Sequence, residues 1–317
     1  MNTVIQVENL RRQFGDVTAV DGISFEVTAG EVFGLLGHNG AGKTTTTRLL
    51  NGVLRPTAGT LRVLGCDPTT EGPALREHTG ILTESPSLDD RLTARENLTI
   101  YADLYAVPED RVASRVEELL AAFELAERAD DRVGGFSKGM KQRLALARAL
   151  IHHPDLIFLD EPTAGLDPVA TRRVHDLIEQ VTGEGRTVLL CTHNLVEAQR
   201  LCDRVAVLEH GKILALGTPA ELGRRYAHRQ QIEVEVSAES LDAAEHALRL
   251  MPGVTGVTHG RNHTLTFSGV GHDRIPDVIA GLVSAGIRMY RVTPLEASLE
   301  DVYFALHGSE ETEVIPV

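Results

Sequence analysis

The stretch that most constrains this chain is GHNGAGKT, residues 37–44. It follows EVFGLL (31–36), a mostly apolar run that reads as a buried strand, and it leads into a helix over residues 43–52. A strand, a G-x-x-x-x-G-K-[ST] loop and a helix in that order bind phosphate. Gly37, Gly40 and Gly42 let backbone N–H groups curl around phosphate oxygens. The helix N-terminus adds its dipole to the same anion. Lys43 supplies a point charge for the β and γ phosphates, and Thr44 offers a hydroxyl to Mg²⁺. His38, Asn39, Ala41 and Thr45 complete the nucleotide-contacting set. The bland reading, a glycine-rich turn ahead of a helix, fits this complete pattern poorly.

Phosphate chemistry needs an acidic element as well. LIFLDE (156–161) is an apolar strand ending in two carboxylates. Asp160 is placed to hold Mg²⁺ directly or through water. Glu161 follows at once, points elsewhere, and is the better group to orient or deprotonate the attacking water. The short apolar runs DLIFL (155–159) and TVLLC (187–191) read as central strands of a parallel sheet, and RVAVL (204–208) and KILA (212–215) as the two strands of a hairpin. Residues 168–183 read as a helix, and His210-Gly211 as a hairpin turn.

The order GHNGAGKT, FSKGMKQR, LIFLDEP, AGLD, CTHN resembles the ATPase subunit of an ABC transporter over roughly residues 1–225. The resemblance implies an α/β P-loop NTPase fold with a helical subdomain at about 85–150. It implies ATP and Mg²⁺ as ligands. Position by position, it carries the family's signature onto Phe136-Ser137-Lys138-Gly139-Met140, so that Ser137 and Gly139 contact nucleotide. Asp167 falls in the loop AGLD, His193 at the switch position, and Phe14 at the aromatic that stacks on adenine. Glu84 stands where the family usually has a glutamine that contacts Mg²⁺, and Lys138 where it usually has glycine. An ionised glutamate accepts but cannot donate hydrogen bonds. The Lys138 ammonium is expected in solvent.

In this family two copies pack head to tail, each offering its signature to the phosphates held by the other. The implied partners are therefore a second copy and a separate transmembrane permease, on the cytoplasmic side of the membrane. RLTARENL and the tail PLEASLEDVYFALHG (294–308) resemble the branch that serves drug exporters of the daunorubicin type. The alternatives are a soluble ABC ATPase of DNA repair or translation, and an importer subunit. The repair type needs a long coiled coil between loop and signature, for which about ninety residues leave no room, and the translation type needs two phosphate loops in one chain.

Composition agrees where it speaks. A net charge of −14 argues against nucleic acid as a partner. No run of about 18 apolar residues occurs. Cys66, Cys191 and Cys202 have no metal-ligand spacing and read as buried thiols. His152 and His153 precede Pro154 in a loop with no third ligand nearby. The basic stretch Arg224, Arg225, His228 and Arg229 reads as a linker. Residues 226–317 then read βαββαβ, a small ferredoxin-like α+β domain, closed by a helix that Ser298 and Asp301 cap.

Overall fold

The chain opens with a hairpin of two long strands, β1 (Thr3–Phe14) and β2 (Val17–Thr28). Their apolar residues Ile5, Val7, Leu10, Ile23, Phe25 and Val27 are buried. Strict alternation would bury Asn9 instead of Leu10. A bulge between Val7 and Leu10, with Asn9 at φ 48°, shifts the register and turns Leu10 inward. The structure, a computed structural model, describes residues 2–85, 87–226, 231–295 and 297–307. It divides into two compact units, Met1–Thr218 and Pro219–Val317.

The first unit continues with β3 (Val32–Leu36), α1 (Lys43–Leu50), β4 (Ala58–Val63), α2 (Gly72–Arg76) and β5 (Thr79–Leu82). Three helices follow: α3 (Ala94–Leu104), α4 (Glu109–Ala122) and α5 (Lys138–Ala149). Then come β6 (Leu156–Asp160), α6 (Pro168–Gly183), β7 (Thr187–Thr192), α7 (Leu195–Leu201), β8 (Arg204–Glu209) and β9 (Lys212–Gly217). The strands form two sheets, an antiparallel β2-β1-β4 and a six-stranded β5-β6-β7-β3-β8-β9. In the larger sheet every pairing is parallel except β8 with β9. Both β6 and β7 are buried at every residue, as central parallel strands must be. The two sheets share one core, in which the Phe25 and Phe33 rings stack at 5.3 Å.

The helices between β5 and β6 are tied together by polar groups. Thr93 and Glu96 close a capping box at the start of α3. Arg115 of α4 is buried and donates to the Leu150 and Ile151 carbonyls at the end of α5. Helical periodicity over 109–127 predicts one helix; α4 ends at Ala122 and a short 3₁₀ turn follows at Ala126–Arg128. Glu124, at φ 54°, is left-handed and breaks the run.

The second unit holds α8 (Pro219–Tyr226), β10 (Gln231–Val236), α9 (Leu241–Leu250), β11 (Thr255–His259), β12 (Thr264–Ser268), α10 (Ile275–Ser284), β13 (Met289–Leu295) and α11 (Leu299–His307). From β10 to β13 the order is βαββαβ, and the strands form an antiparallel sheet β11-β12-β10-β13. Ile232, Val234, Leu265 and Phe267 pack beneath Leu248 of α9 and Leu282 of α10. Asp301 Oδ2 accepts from the Ser298 N–H at 2.8 Å and Ser298 Oγ from the Asp301 N–H at 3.2 Å, closing the cap at α11. The change of character in the sequence places the division at residue 225. It falls earlier because α8 packs on α11, so Arg224 and Arg225 are helical, not linker. His228 and Arg229 lie outside the described residues. Cys191 and Cys202 are buried as expected, whereas Cys66 is half-buried.

Phe267 is 1% exposed at the centre of the second unit's core. Phe267→Ala is expected to cost that unit about 3–5 kcal/mol. Calorimetry of the full chain should show its transition at a markedly lower temperature; an unchanged profile would place Phe267 outside any load-carrying core.

Candidate active site

Strand order brings the chemistry together. β7 lies between β3 and β6 with Leu36 beside Thr192 and Asp160 beside Cys191, so the carboxyl ends of all three strands coincide. Ligands bind at this edge of a parallel sheet. β3 runs into the loop of residues 37–44, β6 ends on Asp160, and β7 leads to His193. The loop presses close to its surroundings. A side chain on Gly37 would collide with the Leu208 carbonyl, and one on Gly42, at φ 111°, would come to 2.5 Å from the Ala19 carbonyl. Only glycine fits either place.

An open cleft of about 530 Å³ lies over this edge. Phe14, His38, Asn39, Gly40, Gly42, Lys43, Thr44, Thr45, Glu84, Asp160 and Glu161, eleven residues singled out from sequence, line it together with Ala19. Gly37 and Ala41, in the same loop, are buried and do not line the cleft. Phe14 is 43% exposed, and the Arg12 guanidinium stands 4.3 Å from its ring centroid. A bond from Arg12 Nη1 to the Arg55 carbonyl, 2.8 Å, holds that cation in place.

Three charged groups are buried at the floor. Lys43, Asp160 and Glu161 are 5%, 6% and 8% exposed. Lys43 Nζ donates to the Gly37 carbonyl at 2.6 Å and lies 3.4 Å from Glu161 Oε1. Glu161 Oε2 pairs with His193 Nδ1 at 2.8 Å, while its buried Oε1 has no hydrogen-bond partner. Glu161 also sits at φ 50°, an uncommon conformation for a non-glycine residue, held by its N–H donating to the Cys191 carbonyl at 2.9 Å. Thr44 Oγ1 donates to Asp160 Oδ2 at 2.9 Å. Burial raises the Asp160 pKa most; the Thr44 bond and Lys43 oppose this, while the Glu161 and Glu84 charges add to it. A hydroxyl and crowded carboxylates form the hard oxygen set that magnesium takes, and a dication there relieves their repulsion. The donors present therefore fit Mg²⁺.

The remaining predicted residues do not line this cleft. Ser137 caps α5, its Oγ accepting from the Met140 N–H at 3.2 Å. Asp167 caps α6, accepting from the Val169 and Ala170 N–H groups at 2.9 Å. The two helix starts are neighbours: a Cβ on Gly139 would lie 3.1 Å from that of Ala170. Lys138 is exposed, as expected, but its ammonium folds against Gly165 in the loop that follows β6.

One network was invisible in the sequence. Glu197 of α7 is fully buried; its Oε1 accepts from Thr163 Oγ1 at 2.9 Å and lies 3.1 Å from His175 Nε2. It joins the loop after Glu161 to the helix after His193. The only signal for it is a glutamate three residues after Asn194, which reads as a helix-start residue. His152 is structural: its Nε2 donates to the Thr79 carbonyl at 3.1 Å, its ring stacks on Tyr105 at 3.9 Å, and burial pushes its pKa down to about 4.

A glycine loop between β3 and α1, with an acidic strand end beside it in a parallel sheet, defines a P-loop nucleoside triphosphatase. The "ABC transporter" family model matches residues 20–164. Daunorubicin resistance ATP-binding protein DrrA3 of Streptomyces coeruleorubidus is 37% identical over 311 residues, covering 98% of this chain and 97% of that one. A Nod factor export ATP-binding protein I of Cupriavidus metallidurans is 36% identical, covering 98% and 99%. A fluoroquinolones export ATP-binding protein of Mycobacterium tuberculosis is 43% identical over 248 residues, covering 77% and 81%. Among solved structures, an ATP binding subunit of an ABC transporter superposes with a TM-score of 0.65 at 31% identity, covering 71% of this chain and 93% of that one. The cbiO1 protein of Clostridium perfringens gives the same score and identity over 70% and 91%. This chain belongs to the ABC transporter ATP-binding proteins, and it is an ATPase.

The raised pKa of Asp160 has a direct consequence. A carboxyl whose folded pKa exceeds its unfolded value destabilises the fold when ionised, and that penalty is relieved as pH falls through the folded pKa. Asp160→Asn is therefore expected to raise the melting temperature of the nucleotide-free protein at neutral pH, with the gain shrinking in acid. A lower melting temperature at pH 7 would show that the Thr44 and Lys43 contacts outweigh burial.

Proposed function

We propose that this chain is the ATP-hydrolysing subunit of an exporter, driving a separate transmembrane permease by ATP-dependent pairing of two copies. The supporting observation is that the expected site comes in two parts. Within one chain the phosphate-loop residues gather in one cleft, while Ser137, Gly139 and Asp167 gather at the starts of α5 and α6 and do not line it. Two adjacent helix N-termini favour an anion. A second copy turned head to tail supplies that anion as the triphosphate in its own cleft, and the exchange is reciprocal.

Within such a site the loop N–H groups and Lys43 bind the β and γ phosphates. Lys43 leaves the Gly37 carbonyl and the Glu161 carboxylate to do so. Phe14, backed by Arg12, stacks on adenine. Thr44, Asp160 and Glu84 would hold Mg²⁺, which when bound neutralises phosphate charge. Glu161 takes the proton of the attacking water at Oε1, which has no hydrogen-bond partner and which Lys43 leaves for the phosphates. His193, bonded to Oε2, fixes the carboxylate and reaches the γ-phosphate. Most of the catalysis is positioning and charge stabilisation.

Export is supported by the relatives matched along nearly the whole chain, which are named for daunorubicin resistance and Nod factor export. Their cargoes differ in chemistry, so cargo choice belongs to the permease. Among the described residues no helix is long and apolar enough to cross a membrane. In this reading the chain sits at the membrane's cytoplasmic face, held there by the separate transmembrane permease. Ile100 and Leu104, exposed one turn apart on α3, offer it an apolar contact.

Glu161→Gln should keep ATP binding, lower turnover by about 10²–10⁴-fold, and accumulate an ATP-bound dimer in size-exclusion chromatography. Turnover at the wild-type rate would remove Glu161 from the role of base. The two-part site has its own test. Chains carrying Ser137→Arg or Lys43→Ala should each be inactive alone, yet mixing them should restore hydrolysis, because each mixed dimer then holds one intact site. Absence of rescue when mixed dimers are shown to form would overturn the head-to-tail arrangement.

A further inference from the structure

We propose that His38, Glu209 and His210 form a binding site for a divalent transition cation of the zinc type, which staples the phosphate loop to the β8–β9 turn. Each of the three side chains offers a donor atom within 4.8 Å of those of the other two. The His38 and His210 rings stand 5.5 Å apart at 65°, an arrangement two imidazoles can adopt around one ion. Donors at about 2.0–2.2 Å from a tetrahedral ion are about 3.4 Å apart. Closing onto an ion therefore needs the donor atoms to draw together by about 1 Å.

The backbone is already set for it. His210 and Gly211, at φ 45° and 78°, form the two-residue turn joining β8 to β9. The turn is pinned on both sides: the Gly211 N–H donates to the Ala41 carbonyl at 3.0 Å, and the Gly211 carbonyl accepts from the Asp21 N–H at 2.8 Å. His210 on the turn and Glu209 at the end of β8 are thus tied through Gly211 to the phosphate loop, which carries the third ligand. A site assembled on fixed elements loses little entropy on binding.

The tautomer of His38 is set as a ligand requires. Its Nδ1 lies 2.7 Å from the Asn39 carbonyl, which can only accept, so Nδ1 carries the proton and Nε2 the lone pair. Metal-bound histidines commonly fix their free ring N–H on a carbonyl in this way. Two imidazoles and one carboxylate select zinc, nickel or copper over magnesium and calcium, which prefer all-oxygen sets. The site is therefore distinct in chemistry from the Thr44, Asp160 and Glu84 oxygens. His38 also lines the nucleotide cleft, so an ion there places positive charge beside the phosphate loop and restrains it.

The test is a titration of the full-length, nucleotide-free chain with ZnCl₂ in millimolar magnesium, followed by calorimetry, with CoCl₂ absorption in the visible as a geometric readout. The chain has 13 histidines and three cysteines, so the measured quantity is the equivalent lost in variants. His210→Asn keeps a residue that tolerates the turn's left-handed conformation, and Glu209→Gln keeps shape and removes charge. Expected is one equivalent bound by wild type and weakened at least tenfold in both variants. Zinc should raise the melting temperature of wild type only, with metal-free melting curves and magnesium-dependent ATPase unchanged in His210→Asn. Equal stoichiometry and affinity in wild type and both variants would overturn the proposal.

Discussion

The site depends on holding one ammonium and two carboxylates together out of water. At 3.4 Å, Lys43 and Glu161 attract by about 5 kcal/mol at an effective dielectric near 20, and their desolvation offsets much of that. The cluster is therefore poised, not strongly stabilising. Asp160 carries the mark of it, its pKa pushed upward by burial. Glu161 adds backbone strain at φ 50°. Such a cluster favours an incoming phosphate at Lys43, and crowded carboxylates suit a dication, because each would relieve a charge left incompletely compensated.

The larger sheet supplies the rigidity that such a cluster requires. Fully buried β6 and β7 leave no freedom at the strand ends that carry Asp160, Glu161 and His193. Glu197 then joins the segments that follow Glu161 and His193 from behind through Thr163 and His175. Its Oε2 is buried without a hydrogen-bond partner, so the network is tightly placed and incompletely satisfied. Helix α7 and the loop after β6 are thus tied to one another through a single carboxylate. That loop also carries Gly165, against which Lys138 rests, and Asp167 at the start of α6.

Local chemistry made much of this legible beforehand. GHNGAGKT, LIFLDE and CTHN each pair an apolar strand with a polar end, and the structure brings the first two into one cleft with His193 bonded to Glu161. The βαββαβ order of the second unit is also readable, since its strands alternate and Ser298 and Asp301 mark the start of the closing helix. Less legible were features set by partners distant in sequence. The Asn9 bulge breaks the alternation of β1, α8 goes with α11, and Glu197 looks like an ordinary helix-start residue. The His38, Glu209 and His210 cluster joins a loop and a turn that sequence reading treated separately.

The sequence by itself determined the phosphate loop, the acidic strand end and the helix starts at Ser137 and Asp167, because each is a short-range pattern of glycines, caps and apolar runs. Only the tertiary structure decided which of these share a cleft. Strand order, with β7 between β3 and β6, places Lys43 and Glu161 in one cleft with His193 bonded to Glu161, and leaves Ser137, Gly139 and Asp167 outside. The reason is physical: hydrogen bonding between parallel strands is blind to side-chain identity, so the order that buries the most apolar surface sets the neighbours at its edge.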